Sequence, residues 1–414
     1  MLPSRSPDVI TLGCRLNLAE SEAIRALVGA SDMVVINGCG VTNEAMKQTR
    51  VAVRRARRDR PDAQIVVTGC ASEIDRDAFA AMPEVDRVVP NAAKLLPATW
   101  GAFPNRQPPR RHARAFLGVQ NGCDHSCTFC AIPKGRGPSR SEPVGQVVSA
   151  AAELVEQGAR EIVLTGVDLT SYEGGLGRLV EAVLLGVPGL ARLRLSSLDT
   201  IEIDERLFEL ITGEPRVMPH VHLSLQAGDD LILKRMKRRH LRAEAVAVVA
   251  RLKARRDITI GADLIAGFPT EDEAAFANTL ALIDDCDIVH AHVFPYSPRA
   301  GTPAARMPQV SPTTAKARAA RLREAADQRR GAWLRSLIGT TQRIVIEKPG
   351  DRGHAENFAE VRLVNPAPTA SAHASPALPN DAAALSTLRM GTVGAIQSVT
   401  IIGAAHDHLI GIPA

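Results

Sequence analysis

Six of the seven cysteines in this 414-residue chain fall into two sets of three: Cys14, Cys39 and Cys70, then Cys123, Cys127 and Cys130. Each member of the first set follows a glycine that ends a short β-branched run, in the pairs Gly13-Cys14, Gly38-Cys39 and Gly69-Cys70. The runs are Val9 to Leu12, Met33 to Ile36 and Ile65 to Thr68. They alternate with helix-length stretches, which is the pattern of a parallel sheet with crossover helices. In an open parallel sheet all strand carboxyl ends share one edge. Three cysteines far apart in sequence are therefore expected to converge there, with glycine letting the backbone turn tightly against whatever is bound. An odd number of thiols suits a disulfide framework poorly, so metal ligation is the first reading.

The second set lies in one loop, GCDHSCTFCAIP, with the spacing C-x3-C-x2-C. Thiolates suit the iron corners of a tetranuclear cluster, and three of them leave one iron open to bind a substrate directly. A structural zinc would want a fourth Cys or His. His125 is at hand, yet between the first two ligands it reads as a solvent-facing turn residue. Cys286, in DDCD, has no partner by sequence and reads as a small buried hydrophobe.

Past the run NRQPPRRH, Asn105 to His112, which reads as a linker, six more strands are expected. They are Phe116 to Val119, Glu161 to Leu164, Leu193 to Leu195, His220 to Leu225, Ile258 to Leu264 and Val289 to Phe294. Six βα units are too few for an eight-stranded barrel, so a partial, open barrel is expected, with its site at the strand carboxyl ends. Thr313 to Leu337 reads as a helix carrying Arg318, Arg321, Arg323, Arg329 and Arg330. A small β segment follows, with strands Thr341 to Glu347, Ala359 to Val364 and Ile396 to Ile402. Within it Pro366 to Ala384 is rich in Pro, Ala and Ser without periodicity and reads as a flexible insertion. The expected division is 1–105, 112–335 and 336–412, the last interrupted near 366–384. No stretch approaches the roughly 18 apolar residues of a spanning helix, and the start lacks a signal peptide's apolar centre, so the cytoplasm is the expected compartment. A net charge of +5 is too small to mark the whole surface for nucleic acid, so any such attraction must be local.

The runs GCDHSCTFCAIPKGRGPSRS, HLSLQAGDDLILKRMKR and DLIAGFPTEDEAAF resemble the methylthiotransferases, a branch of the radical S-adenosylmethionine enzymes, and the likeness spans nearly the whole chain. It implies an α/β fold: an amino-terminal parallel-sheet domain, a central partial (β/α)6 radical barrel and a small carboxyl-terminal β domain of the RNA-binding TRAM type. IEKPGDRGHAENFAEVRL and GTVGAIQSVTIIGAAHDHLIGI would supply that last domain. It also implies two [4Fe-4S] clusters. Cys123, Cys127 and Cys130 would hold one, whose open iron takes the amino and carboxylate groups of S-adenosylmethionine, so that one electron yields a 5′-deoxyadenosyl radical. Cys14, Cys39 and Cys70 would hold the other, carrying a sulfide that is methylated and passed to the substrate. Gly38, where the family generally has threonine, and Gly40 are departures that make the Cys39 loop more flexible.

TLGCRLN, Thr11 to Asn17, is similar to members acting on N6-threonylcarbamoyladenosine at position 37 of tRNA; members acting on isopentenyladenosine or a ribosomal-protein aspartate usually carry other residues after the same cysteine. By matching position, Gly166, Asp168, Ser196, Ser197 and Gln226 are expected to reach the nucleoside or the methionine part. Asp168, Ser196 and Ser197 read equally well as caps or turn formers. Phe129 would contact the adenine or simply pack, and Arg136 and Arg140 would hold substrate or a carboxylate of S-adenosylmethionine. Arg50, Arg54, Arg57 and Arg58 recur at helical spacing, a face that suits phosphates or plain solvation. The expected partners are the anticodon loop of tRNA, whose bases can be splayed out without opening a duplex, and an electron donor such as flavodoxin or ferredoxin. The rival readings are a methylthiotransferase with another target and, from a different class, a non-catalytic iron–sulfur RNA-binding or redox-sensing protein. A sensor has no need of six strands ending in polar residues.

Overall fold

A computed structural model describes residues 7–28, 32–101, 113–347, 349–364 and 392–414. The expected linker Asn105 to His112 and insertion Pro366 to Ala384 lie outside the described residues. Strands β1 (Asp8–Thr11), β2 (Met33–Gly38), β3 (Gln64–Gly69) and β4 (Arg87–Val88) form one parallel sheet in that order. β2 is buried along its whole length, as its unbroken apolar run requires. Alternate residues serve the two faces: Val34, Ile36 and Val67 pack with Val53 and Phe79, whereas Val35 and Val66 pack with Ile24 and Trp100. β4 is two residues long and too short to leave a periodic signal.

The central unit begins with β5 (Arg114–Gly118). A small antiparallel ribbon, β6 (Gln120–Asn121) with β7 (Arg140–Ser141), brackets the cysteine loop. β8 (Glu161–Thr165) and β9 (Arg192–Leu195) join β5 in one parallel sheet. β10 (His220–Gln226), β11 (Thr259–Ala266) and β12 (Ile288–Pro295) form another. Parallel bridges Leu193–Val217 and Leu198–Leu223 join the two, giving a six-stranded incomplete barrel whose strands share one large apolar core with the helices packed around them. Its open flank lies between β5 and β12.

The amino-terminal sheet domain covers both sides of that flank. Its helix Arg15–Leu27 runs along β5, so close that a Cβ on Gly118 would meet Leu16 at 3.0 Å. Beyond β12, Arg299 donates to Asn43 Oδ1 at 2.6 Å and to the Gly40 carbonyl. The helix Pro312–Ser336, capped by Ser311, lays Ala319, Leu322 and Ala326 on the central core. Then β13 (Thr341–Glu347), β14 (Arg352–Ala355), β15 (Glu360–Leu363), β16 (Ile396–Ala404) and β17 (Leu409–Pro413) close a small barrel in the order β13-β14-β15-β17-β16. It docks on the amino ends of the central strands, where Arg194 donates to the carbonyls of Ala355 (2.6 Å) and Glu356 (2.9 Å). Phe358 stacks on His220 with centroids 4.5 Å apart. Among the described residues no helix is long and apolar enough to cross a membrane.

Candidate metal centres and substrate chamber

Gly13 and Gly69 have φ of +102° and +97°, a region glycine enters without steric cost. The reversed backbone aims Cys14 and Cys70 back over the sheet edge, each at the start of a helix. A Cβ on Gly13 would sit 2.8 Å from Cys39 Sγ, so the first two cysteine loops are in direct contact. Cys14 is exposed, and Cys39 and Cys70 are buried. Burial pushes the Cys39 thiol up to about 11; the Val41 N–H opposes this, while Cys70 and Cys14 add to it. A buried Cys39 thiol that resists ionising, gathered with Cys14 and Cys70 at one sheet edge, is a donor set that a cationic iron centre relieves, and so these residues fit a cluster.

In the second trio, backbone N–H groups of His125 and Ile132 donate to Cys123 Sγ and Cys130 Sγ, both at 3.4 Å. Arg238 Nη1 lies 3.8 Å from Cys127 Sγ. Burial pushes Cys123 up to about 12 and Cys130 up to about 11. Amide donors to sulfur and a nearby guanidinium stabilise thiolates, as iron ligation requires. His125 is not the solvent-facing turn residue expected. Its Nε2 sits 2.8 Å from Asp168 Oδ2 and 2.9 Å from Arg239 Nη2, because Asp168 projects from beyond β8 beneath the loop. Among the described residues Cys123, His125 and Asp168 have ligand atoms within 4.8 Å of one another, as do His222, Asp263 and His292; the first set leaves Cys127 and Cys130 unused.

The two trios meet. The helix Ile132–Arg136 packs on the helix Cys70–Ile74, where a Cβ on Gly135 would lie 3.4 Å from both Cys70 and Ile74. Cys70 is near enough to Cys130 to add to its upward push. Arg136 bridges the seam: Nε donates to Cys70 Sγ (3.1 Å), Nη1 to Glu20 Oε1 and Asn121 Oδ1 (both 2.9 Å), and Nη2 to Glu20 Oε2 (3.1 Å) and Asn17 Oδ1. Lys94 completes the cluster at 2.6 Å from Glu20. Burial works against the charge of Arg136, but Cys70 and Glu20 outweigh it and hold the guanidinium above its ordinary value. All five guanidinium N–H groups are used, so the expectation that Arg136 holds substrate or a methionine carboxylate is corrected: it ties the two domains together. Arg140 is exposed and donates to the Arg136 carbonyl at 3.0 Å.

At the strand ends, Gln120 Oε1 accepts from the N–H groups of Val167 (3.0 Å) and Asp168 (2.8 Å), and Gly166 leaves room for it. Ser196 is buried with its hydroxyl unpartnered among the described residues, as are Asp199 Oδ1 and Arg238 Nε; Ser197 is half-buried. Gln226 takes φ +68° at the end of β10 after a register shift, a conformation costly for a non-glycine residue. Phe129 packs edge-on against Phe268 at 6.3 Å. The buried pair Arg238–Asp199 (2.7 Å) escaped the sequence reading, since KRMKR looks like any basic surface run. Of the basic helix face, Arg50 and Arg57 are tied to Asp75 (2.7 Å) and Asp86 (2.5 Å), while Arg54 and Arg58 are exposed and lie 3.8 Å from Glu84 and 3.7 Å from Asp59. Cys286 is fully buried and its thiol is pushed up to about 12.

Comparison with known proteins bears on these arrangements. The Radical SAM superfamily pattern matches residues 117–283, and a pattern described as uncharacterized protein family UPF0004 matches 8–90. The chain is 44% identical over 383 residues to the threonylcarbamoyladenosine tRNA methylthiotransferase MtaB of Rickettsia prowazekii (strain Madrid E), covering 86% of this chain and 91% of that one. It is 34% identical over 385 residues to the tRNA-2-methylthio-N(6)-dimethylallyladenosine synthase of Roseobacter denitrificans, covering 82% and 87%. A solved structure of the radical S-adenosylmethionine methyltransferase TsrM from Kitasatospora setae shares the fold, with a TM-score of 0.52 at 15% identity over 70% of this chain and 66% of that one.

Proposed function

The chain belongs to the radical S-adenosylmethionine methylthiotransferase family, and on that premise we propose that it adds a methylthio group to C2 of N6-threonylcarbamoyladenosine at position 37 of tRNA. The family brings a [4Fe-4S] cluster and S-adenosylmethionine. The single observation that carries the rest is the meeting of the two cysteine loops at one seam, where the helix after Cys130 packs on the helix that starts at Cys70 and Arg136 donates across it to Cys70 Sγ. Cys123, Cys127 and Cys130 would hold the radical-generating cluster, and Cys14, Cys39 and Cys70 a second one. When bound, the first supplies the electron that cleaves the sulfonium bond and the second supplies the sulfur.

The protein's own groups do the positioning. The N–H groups of His125 and Ile132 donate to Cys123 and Cys130, and the Arg238 guanidinium lies near Cys127, so the three sulfurs that would ligate iron are oriented by the loop itself. Gly166, Asp168, Ser196, Ser197, Gln226 and Phe129 surround the position where S-adenosylmethionine and the base must lie, and the unpartnered Ser196 hydroxyl is free to meet them. The amino-terminal domain (1–105) closes the open flank of the barrel (112–335), which keeps water from a reactive intermediate. The β domain (336–412) and the exposed Arg54 and Arg58 would add phosphate contacts to the anticodon arm. A flavodoxin or ferredoxin would deliver the electron, in the cytoplasm.

The dimethylallyladenosine relatives are the nearest alternative, and the higher identity to MtaB favours the threonylcarbamoyl substrate. Mass spectrometry of tRNA nucleosides from a deletion strain decides between them. Loss of the methylthio group from threonylcarbamoyladenosine alone is expected; loss from the isopentenyl nucleoside instead overturns the assignment. Absence of 5′-deoxyadenosine from reconstituted protein given dithionite and S-adenosylmethionine would favour a binding or sensing protein.

A further inference from the structure

Three guanidinium groups surround the Phe358 ring: Arg15, Arg114 and Arg194, with Cζ 5.6, 5.5 and 5.3 Å from its centroid. Two are neutralised. Arg114 lies 3.0 Å from Glu347 and Arg194 lies 2.7 Å from Glu161. Arg15 is half-buried and has neither a hydrogen bond nor an ion pair among the described residues. Its charged neighbours are Arg114, Arg194, Asp263 and Glu161. Asp263 is already engaged by His222 (3.0 Å) and His292 (3.1 Å), and Glu161 by Arg194. A partly buried cation crowded by two others and lacking an anion is costly, and a stacked guanidinium keeps its N–H edge free for a planar bidentate partner.

Arg15 is also the residue next to Cys14. In a purine, C2 and the exocyclic N6 lie on the same edge of the ring. A sulfur source that reaches C2 and a group that reads a substituent on N6 must therefore stand on the same side of the base. Arg15 meets that condition, since it leaves the chain one position from Cys14 and its charged neighbours include Arg194 of β9 and Asp263 of β11. The threonylcarbamoyl substituent ends in a carboxylate, whereas a dimethylallyl group carries no charge.

We infer that Arg15 binds the carboxylate of the threonylcarbamoyl group and thereby selects the anionic nucleoside over neutral N6-alkyl adenosines. The inference rests on the proposed function above and adds to it the residue that reads the substrate. Phe358, from the carboxyl-terminal domain, has its ring centroid 5.6 Å from the guanidinium carbon, so the selecting element draws on two domains.

The test compares tRNA bearing threonylcarbamoyladenosine with the same tRNA bearing its methyl ester, using reconstituted wild type, Arg15→Gln and Arg15→Lys. Wild type is expected to favour the acid over the ester by roughly 10- to 100-fold in kcat/KM, the worth of a hydrogen-bonded charge pair. Arg15→Gln should lose that preference while retaining its iron and its formation of 5′-deoxyadenosine, and Arg15→Lys should keep part of it. Equal wild-type rates on acid and ester overturn the carboxylate contact and leave the substrate assignment standing. No product from wild type on either tRNA overturns both. A wild-type preference for the acid that is unchanged in Arg15→Gln overturns the assignment to Arg15, and if that variant fails to load iron, a preference in Arg15→Lys as large as that of wild type does so instead.

Discussion

Replacing Arg136 by Met tests whether the seam between the two thiol trios is held as described. The Arg136, Glu20 and Lys94 side chains are 2%, 4% and 1% exposed, so this is a buried charge cluster in which the five guanidinium donors have partners. Removing one member of a buried, hydrogen-bonded ion pair costs about 3 to 5 kcal/mol, because the partner is left without its counter-charge. Lys94 still faces Glu20 in the variant, which puts the expected loss at the low end, about 3 kcal/mol at neutral pH. Burial pushes the Glu20 carboxyl up, but Lys94 and Arg136 outweigh it and hold its folded-state value below the ordinary 4.5. A depressed carboxylate contributes stability above its unfolded value and loses it as pH falls through the folded one. Arg136→Met weakens that depression, so the gap between wild type and variant should narrow below about pH 4.5. Urea titrations of the thiol-reduced, iron-free chain at neutral pH and near pH 4 measure both quantities. A loss under about 1 kcal/mol at neutral pH, or a gap that widens on acidification, refutes the reasoning.

Cys127→Ala should abolish cleavage of S-adenosylmethionine, whereas Cys39→Ala should spare cleavage and remove sulfur transfer; 5′-deoxyadenosine and methylthio-nucleoside assays separate the two, and methylthiolation retained in the Cys39 variant counts against the second cluster. Gly69→Ala places a Cβ against the Gly38 carbonyl at φ +97°, so a loss above about 2 kcal/mol in a urea titration and poorer iron loading are expected. Phe358→Ala should cost about 2 kcal/mol, below the figure for a fully buried ring because Phe358 is half-buried; an unchanged urea midpoint would argue that the stacking on His220 does not dock the β domain. Cys286→Ala should cost about 1 kcal/mol and leave iron content and turnover unchanged; lost activity would give this thiol a role it lacks here.

The strands that carry chemistry were legible because each is a β-branched run closed by a glycine or a polar residue. Thus β2 and β3 were foreseen within a few residues, as were all six strands of the incomplete barrel. β4 and β14 were not, being short or broken by glycine and histidine, as in RGHA, with their pairing supplied by neighbours in the sheet, and β17 was covered only by the likeness of GTVGAIQSVTIIGAAHDHLIGI to the family's last domain. Cysteine positions could be read from spacing, since one loop or one sheet edge gathers them. What gathers across domains could not. Arg136 meets Glu20 across 116 positions and Cys70 across 66, and Arg15 shares a ring with Arg114 and Arg194 only after the third domain docks Phe358. His125 was misread for the same reason, because its partner Asp168 comes from another strand end. Local pattern reports periodicity and turns, while charge pairing at a seam is a property of the assembled chain.

Iron and acid-labile sulfide analysis of anaerobically reconstituted protein bears most directly on the central claim that each cysteine trio is a separate cluster site on a common chamber. Wild type should bind about eight irons and eight sulfides per chain, and the triple variants Cys14→Ala/Cys39→Ala/Cys70→Ala and Cys123→Ala/Cys127→Ala/Cys130→Ala about four of each. Wild type saturating at about four, or either triple variant retaining the full complement, would contradict it.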